Sequence, residues 1–316
     1  MHVLARTRRL AGLVAALALA ATAAPAADPP KPNSPSPQFP QLPRPSKTME
    51  FLRQASDAYK QGRTREAVEL TTKAVEANPK EVGTYHFRAQ LYVALRDYDK
   101  ALADYAAALV IQPASPWLYQ RRGEVNFKAG RMADAIADFD KFIELSPGQE
   151  PHHWQRGIAY YYAGRYEEGR KQFELHQTVN SRDVENAVWH FLCVARLDGV
   201  EAARKLLIPI SGDARIPMAQ VFELFAGKAQ PADVLKAAQT PDVPAAQQRE
   251  QNFYAHLYLG LYFEAVGDLK QAKEHMARAA GEFSSDGYMG DVARVHAQRF
   301  REGRPQPPHA VKPAKK

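Results

Sequence analysis

PWLYQRRGEVNFKAGRMADAIADFDKFIELSPGQE, residues 116–150, is the stretch whose reading decides the fold. In its first half Tyr119, Gly123 and Phe127 recur at i, i+4 and i+8; in its second half Ala135, Phe139 and Phe142 recur at i, i+4 and i+7. Each half therefore carries one apolar stripe at helical spacing, and the two stripes can face each other across a hairpin. Gly123 and Ala135 are small enough to let the two backbones approach closely. Gly130 supplies the positive φ that ends the first helix, and Pro147 stops the second.

The same arrangement recurs when the chain is shifted by 34 residues against itself. Ala67, Ala101, Ala135 and Gly169 fall in register, as do Tyr59, Val93, Phe127 and Tyr161. Gly62, Arg96, Gly130 and Gly164 mark the turns; Pro79, Pro113 and Pro147 close three units, with Ser181 at that place in the fourth. This spacing resembles the tetratricopeptide repeat, whose period is 34 residues. Four repeats are expected over residues 47–183 of an all-α chain. A lone hairpin leaves its apolar face exposed, so neighbours must stack, giving a right-handed superhelix whose concave side is lined by the first helix of every unit.

Outward from the repeats the pattern loosens. Residues 184–244 read as an irregular helical segment: VENAVWHFLCVARL and VEAARKLLI form an imperfect pair, then come a Gly/Pro loop and two short helices, Met218 to Ala226 and Pro231 to Ala238. A fresh repeat spans residues 245–302, with Gly260, Phe263, Ala272, Met276 and Ala279 at the small and large positions, and a last helix from about Gly290 to Phe300 is expected to cap its exposed face. Residues 303–316 form a basic tail.

At the other end, Arg6, Arg8 and Arg9 precede the short apolar stretch Leu10 to Ala24, and Ala24-Pro25-Ala26 offers small residues for cleavage. Residues 1–27 are read as a secretory signal, with removal favoured over retention as an anchor because a spanning helix needs about 20 apolar residues. The expectation is an exported protein, periplasmic or extracellular. Residues 28–46 hold eight prolines, a density that favours an extended linker. The formal charge of +7 makes anionic surfaces attractive without naming one. Cys193 is the one cysteine, so no intramolecular disulfide can form and no N-terminal cysteine is present to carry a lipid.

Three strings resemble the tetratricopeptide envelope lipoprotein NlpI family of Gram-negative bacteria: HWQRGIAYYYAGR (153–165), AQVFELFAGKAQPADVLKAA (219–238) and QNFYAHLYLGLYFEAVGDLKQAKEHMARAA (251–280). The resemblance implies a homodimeric adaptor that docks a C-terminal-processing protease onto substrates such as a peptidoglycan endopeptidase. The chain departs from that family in lacking the cysteine that carries the lipid.

Recurring positions of the first helices place Leu52, His86, Gln120 and Trp154 in one row of the groove and Tyr59, Val93, Phe127 and Tyr161 in the next, with Arg121, Glu124 and Lys128 adding charge. Rows of this kind favour a protein or peptide ligand; the basic and asparagine pattern by which some chaperone-binding repeats clamp a terminal carboxylate is absent, since Leu52 and Ser56 stand at the matching places of the first repeat. Aromatic stripes at this spacing also serve as internal packing. His152, His153, His176 and His190 form no metal motif, and His153 takes the packing position of Phe51, Tyr85 and Tyr119. Cys193 lies among Phe191, Leu192 and Val194 as a core thiol. With no GxSxG, P-loop or GxGxxG, the expectation is a scaffold without catalytic, metal or cofactor sites and without a nucleic-acid partner. The alternative is a binder of anionic envelope polymer or lipid through the basic tail.

Overall fold

The structure, a computed structural model, describes residues 46–304. The expected signal segment, the proline-rich stretch up to residue 45 and the tail from residue 305 lie outside the described residues. Among the described residues all regular structure is helical, fifteen α-helices and one 3-10 turn. Four hairpins open the array: α1 (Lys47–Lys60) with α2 (Thr64–Ala77), α3 (Val82–Ala94) with α4 (Tyr98–Ile111), α5 (Pro116–Lys128) with α6 (Met132–Leu145), and α7 (Trp154–Tyr162) with α8 (Tyr166–Gln177). The second helix of each also packs on the first helix of the next, so the stack is continuous.

The small positions of the repeat are where two helices touch. A Cβ on Gly123 would lie 2.6 Å from Phe139 Cε1, and one on Gly157 would lie 2.7 Å from Phe173 Cζ, so an aromatic ring of the second helix rests directly on the backbone of the first. Ala67, Ala101 and Ala135 are fully buried opposite. The turns need positive φ: Gly62, Gly130 and Gly164 adopt 77°, 74° and 76°, and Arg96 adopts 60° at the same place in the second repeat.

A polar ladder runs through the same hairpins at the repeat period. Arg88 donates to both oxygens of Asp104 at 2.6–3.3 Å, and Arg122 donates to Asp138 at 2.6–3.1 Å. Asn126 adds a third donor to Asp138 at 2.9 Å. The hydrogen-bonded carboxylate in each case holds the guanidinium above its ordinary pKa. In the fourth repeat Gln172 replaces the carboxylate, and Arg156 instead bridges Gln172, Asp140 and Glu150.

After the fourth hairpin α9 (Val184–Asp198) is buried along nearly its whole length, because α7, α8, the short α10 (Val200–Lys205), α11 (Met218–Phe225) and α13 (Ala245–Ala265) pack around it. That enclosure is why apolar residues fall on every side of it, with Asn186, His190 and Arg196 buried among them. α12 (Pro231–Ala237) bridges α11 and α13, and α13 pairs with α14 (Leu269–Ala280) as a further hairpin.

The last helix, α15 (Tyr288–Arg301), does more than cap the final hairpin. It packs on α14 and also reaches α5 of the third repeat. Tyr288 stacks on Phe127 with ring centroids 5.0 Å apart and meets Trp154 edge-on at 5.1 Å. Lys128 pairs with Asp291 at 3.1 Å, and Tyr162 Oη lies 2.8 Å from His296 Nδ1. The superhelix thus brings its own C-terminal helix onto the row of positions that faces the groove.

Candidate functional site

α15 and the segment before it divide the groove into two cavities that share Asp286, Gly287 and Tyr288 as a wall. The larger, about 670 Å³, lies between α1, α3, α5 and α15. Tyr59, Val93, Tyr105, Arg121, Glu124 and Lys128 line one side of it and Asp291 and Arg294 the other. Its charges are largely paired within the chain: Arg121 with Glu124 at 3.0 Å, Lys128 with Asp291, and Arg294 with Asp291 at 2.7 Å. Tyr59, 44% exposed, is the large apolar side chain this surface offers to solvent. The second cavity, about 430 Å³, lies between α7, α9 and α13 and is walled by Trp154, Trp189, Tyr254 and Tyr288.

Of the residues expected in the groove, Tyr59, Arg121, Glu124 and Lys128 meet at the first cavity, and Trp154 stands at the second. Phe127 and Tyr161 are not groove residues: both are fully buried. Phe127 is covered by Tyr288, and Tyr161 packs on Trp189 while its hydroxyl accepts from Arg196 at 3.1 Å. The row Tyr59, Val93, Phe127, Tyr161 thus passes from exposed at α1 to buried at α7, because α15 and α9 close over its far end. Leu52 is half-buried and lines neither cavity.

His86 and Gln120 are engaged within the protein. His86 Nδ1 lies 3.0 Å from Tyr105 Oη and its ring meets Trp117 edge-on; burial and the nearby Arg121 lower its pKa to about 4. Gln120 donates to Glu124 at 3.0 Å and lies 2.7 Å from His153 Nε2. His153 packs on Phe139 and Phe142 and accepts at Nδ1 from the Arg156 N–H, capping α7; burial lowers its pKa to about 4. Burial raises the Cys193 thiol well above its usual range, beneath a ceiling of core side chains.

Repeat arithmetic could not find Tyr288, Asp291 or Arg294. They lie more than 150 residues from α5 in sequence and outside the 34-residue register. The loop-to-helix junction carries one local mark, Gly290, where an added Cβ would sit 1.9 Å from Ser285 O.

Family models for the tetratricopeptide repeat match residues 52–116 and 89–153. A tetratricopeptide repeat protein from Parabacteroides merdae superposes with a TM-score of 0.50 at 16% identity, over 79% of this chain and 98% of its own. MamA from Desulfovibrio magneticus superposes at 0.47 and 15% identity, over 51% and 91%. The first tetratricopeptide domain of Spaghetti, solved with an HSP90 peptide, superposes at 0.30 and 27% identity, over 32% and 80%. Residues 52–153 therefore carry tetratricopeptide repeats, and the described chain is a solenoid of that class.

Proposed function

We propose that this chain is a scaffold that holds a protein partner in the groove formed by its first helices. The observation that carries the reading is the 670 Å³ cavity, where an exposed tyrosine and paired charges of both signs converge on a surface built from three repeats. Stacked repeats present extended concave surfaces of this kind, and mixed aromatic and charged linings suit peptide recognition better than small-molecule turnover. The Spaghetti domain with its HSP90 peptide is an instance of a repeat array holding a peptide.

The finer reading follows from the sequence. An N-terminal segment with the features of a secretory signal supports export to the periplasm or beyond. The resemblance to the NlpI family supports an adaptor that brings a processing protease to cell-wall enzymes. N-terminal sequencing of the protein purified from its native source should begin after the Ala24-Pro25-Ala26 site.

Site-specific photocrosslinking tests the groove. A benzoylphenylalanine at Tyr59 should capture a protein partner from cells, and one at Val110, 84% exposed and lining neither cavity, should not. Identical capture from both positions, or none from either, sinks the proposal.

A further inference from the structure

A third opening, about 290 Å³, lies between the turn that joins α3 to α4, the last residue of α5 and α15. It shares Arg96, Tyr98, Lys128, Asp291 and Arg294 with the 670 Å³ cavity, so the two adjoin along that wall. Its charge is one-sided: Arg96, Lys128, Arg294 and Arg301 line it against the single carboxylate of Asp291, a formal +3. Eight of the chain's 42 lysines and arginines and one of its 35 aspartates and glutamates lie outside residues 46–304, which therefore hold 34 of each. The described array is neutral in total, and the excess at this cleft is local.

Asp291 is already shared. Its Oδ2 pairs with Lys128 Nζ at 3.1 Å and its Oδ1 accepts from Arg294 at 2.7 Å, so each oxygen is taken by a cation. Arg96 and Arg301 are exposed, and their side chains make no ion pair or hydrogen bond with any of the described residues. Glu302, next to Arg301, is bound instead to Arg304 and accepts from Gln298 at 2.8 Å. The one side-chain carboxylate outside the described residues is Asp28, and residues 305–316 add three lysines and no acid. Turn chemistry does not account for Arg96 either. The same place is glycine in the other three repeats, and Arg96 holds φ 60° there at a conformational cost. A residue that its own turn disfavours, with an unpaired guanidinium at the wall of a cleft, points to a ligand contact rather than to folding.

A guanidinium is a planar fork that fits a carboxylate with two parallel N–H···O bonds, and a cleft lined by one sign of charge concentrates its field on an incoming counter-charge. A recess of 290 Å³ that continues the groove fits side chains of a bound segment. A bilayer surface or a nucleic-acid duplex presents its phosphates on a broad face and would ask for cations on the outside of the array.

We propose that this cleft holds an acidic stretch of the partner protein: where the bound segment leaves the larger cavity, side-chain carboxylates enter between Arg96 and Arg301, with Lys128 and Arg294 adding positive charge behind them. The contact is with side chains inside a segment, so no free chain terminus is required. The inference rests on the scaffold reading and sharpens it, since it names the chemistry of the segment that is held.

The test is isothermal titration of the full chain at about 50 mM salt, where charge contacts are weakly screened, with nonapeptides acetylated and amidated so that neither end is charged. One peptide carries four glutamates among alanines and a tyrosine, and the other carries glutamine at the same four places. The glutamate peptide should bind with a Kd of about 100 μM or tighter and the glutamine peptide at least about tenfold more weakly. Arg96→Gly combined with Arg301→Gln should weaken the glutamate peptide at least about tenfold. The melting temperature of that variant should hold or rise, because both side chains are exposed and unpaired and glycine relieves the turn, whereas a purely structural role would lower affinity and stability together. Lys312→Gln with Lys315→Gln, in the basic tail, should leave the affinity as it is. No binding of the glutamate peptide, equal affinity for the two peptides, an unchanged affinity in the arginine variant, or a loss that follows the tail lysines instead overturns the proposal. Vesicles of phosphatidylglycerol and phosphatidylcholine in equal parts form the rival arm: cosedimentation that the arginine variant abolishes, without binding of the glutamate peptide, assigns the cleft to lipid and overturns it as well. If the peptide arm fails while benzoylphenylalanine at Tyr59 still captures a partner from cells, the groove remains the docking surface and only the assignment of this cleft falls.

Discussion

Arg96 is the residue where the repeat pattern and backbone chemistry disagree. Its counterparts are glycines, and it holds the same left-handed conformation at φ 60°, where an L side chain costs about 1 kcal/mol. Arg96→Gly should therefore raise the free energy of unfolding by up to about 1 kcal/mol, and Gly130→Ala should lower it by a similar amount, both read from urea midpoints. Asp138 tests the polar ladder: Asp138→Ala leaves Arg122 and Asn126 facing a gap and should cost about 2 kcal/mol, less than a fully buried pair because Arg122 is partly solvated. His86, His153 and His256 are all lowered to about 4 by burial. Since the folded state holds them neutral, the stability they contribute is complete above about pH 6.5 and is lost as the pH falls toward 4. The urea midpoint should drop across that window, and His153→Gln should flatten the drop; a midpoint independent of pH between 6.5 and 4 would contradict the burial of these rings.

Single helices and hairpins were largely readable from residues because their determinants are local. A small residue on one helix and a ring sixteen positions later on the next are linked through a short turn, so Gly123 with Phe139 and Gly157 with Phe173 carry their pairing in the spacing alone. The Arg88–Asp104 and Arg122–Asp138 pairs repeat that sixteen-residue interval and could have been found by the same arithmetic. Ala101→Arg probes the register directly: the side chain is fully buried, and placing a long cation there should cost about 3 kcal/mol or more. An unchanged melting temperature would mean that Ala101 does not face its partner helix.

The groove is decided by the whole array. Phe127 and Tyr161 occupy positions that a regular, open superhelix would turn toward a ligand, yet this array places α15 and α9 over them. Tyr288→Ala should remove the stacking on Phe127 and the edge contact with Trp154, lower stability by about 2–3 kcal/mol, and join the two cavities. Hydrogen exchange should then quicken in α5 as well as in α15; unaltered protection of α5 would show that the terminal helix does not brace the third repeat.

From the sequence alone came the helices, their pairing into hairpins and their 34-residue stacking, because each depends on side chains close together along the chain. Which groove positions stay open was settled only when the tertiary structure returned α15 to α5, across more than 150 residues. A periodic pattern records what each repeat offers its neighbours; it holds no information about a non-repeating segment whose contacts arise from the accumulated turn of the solenoid.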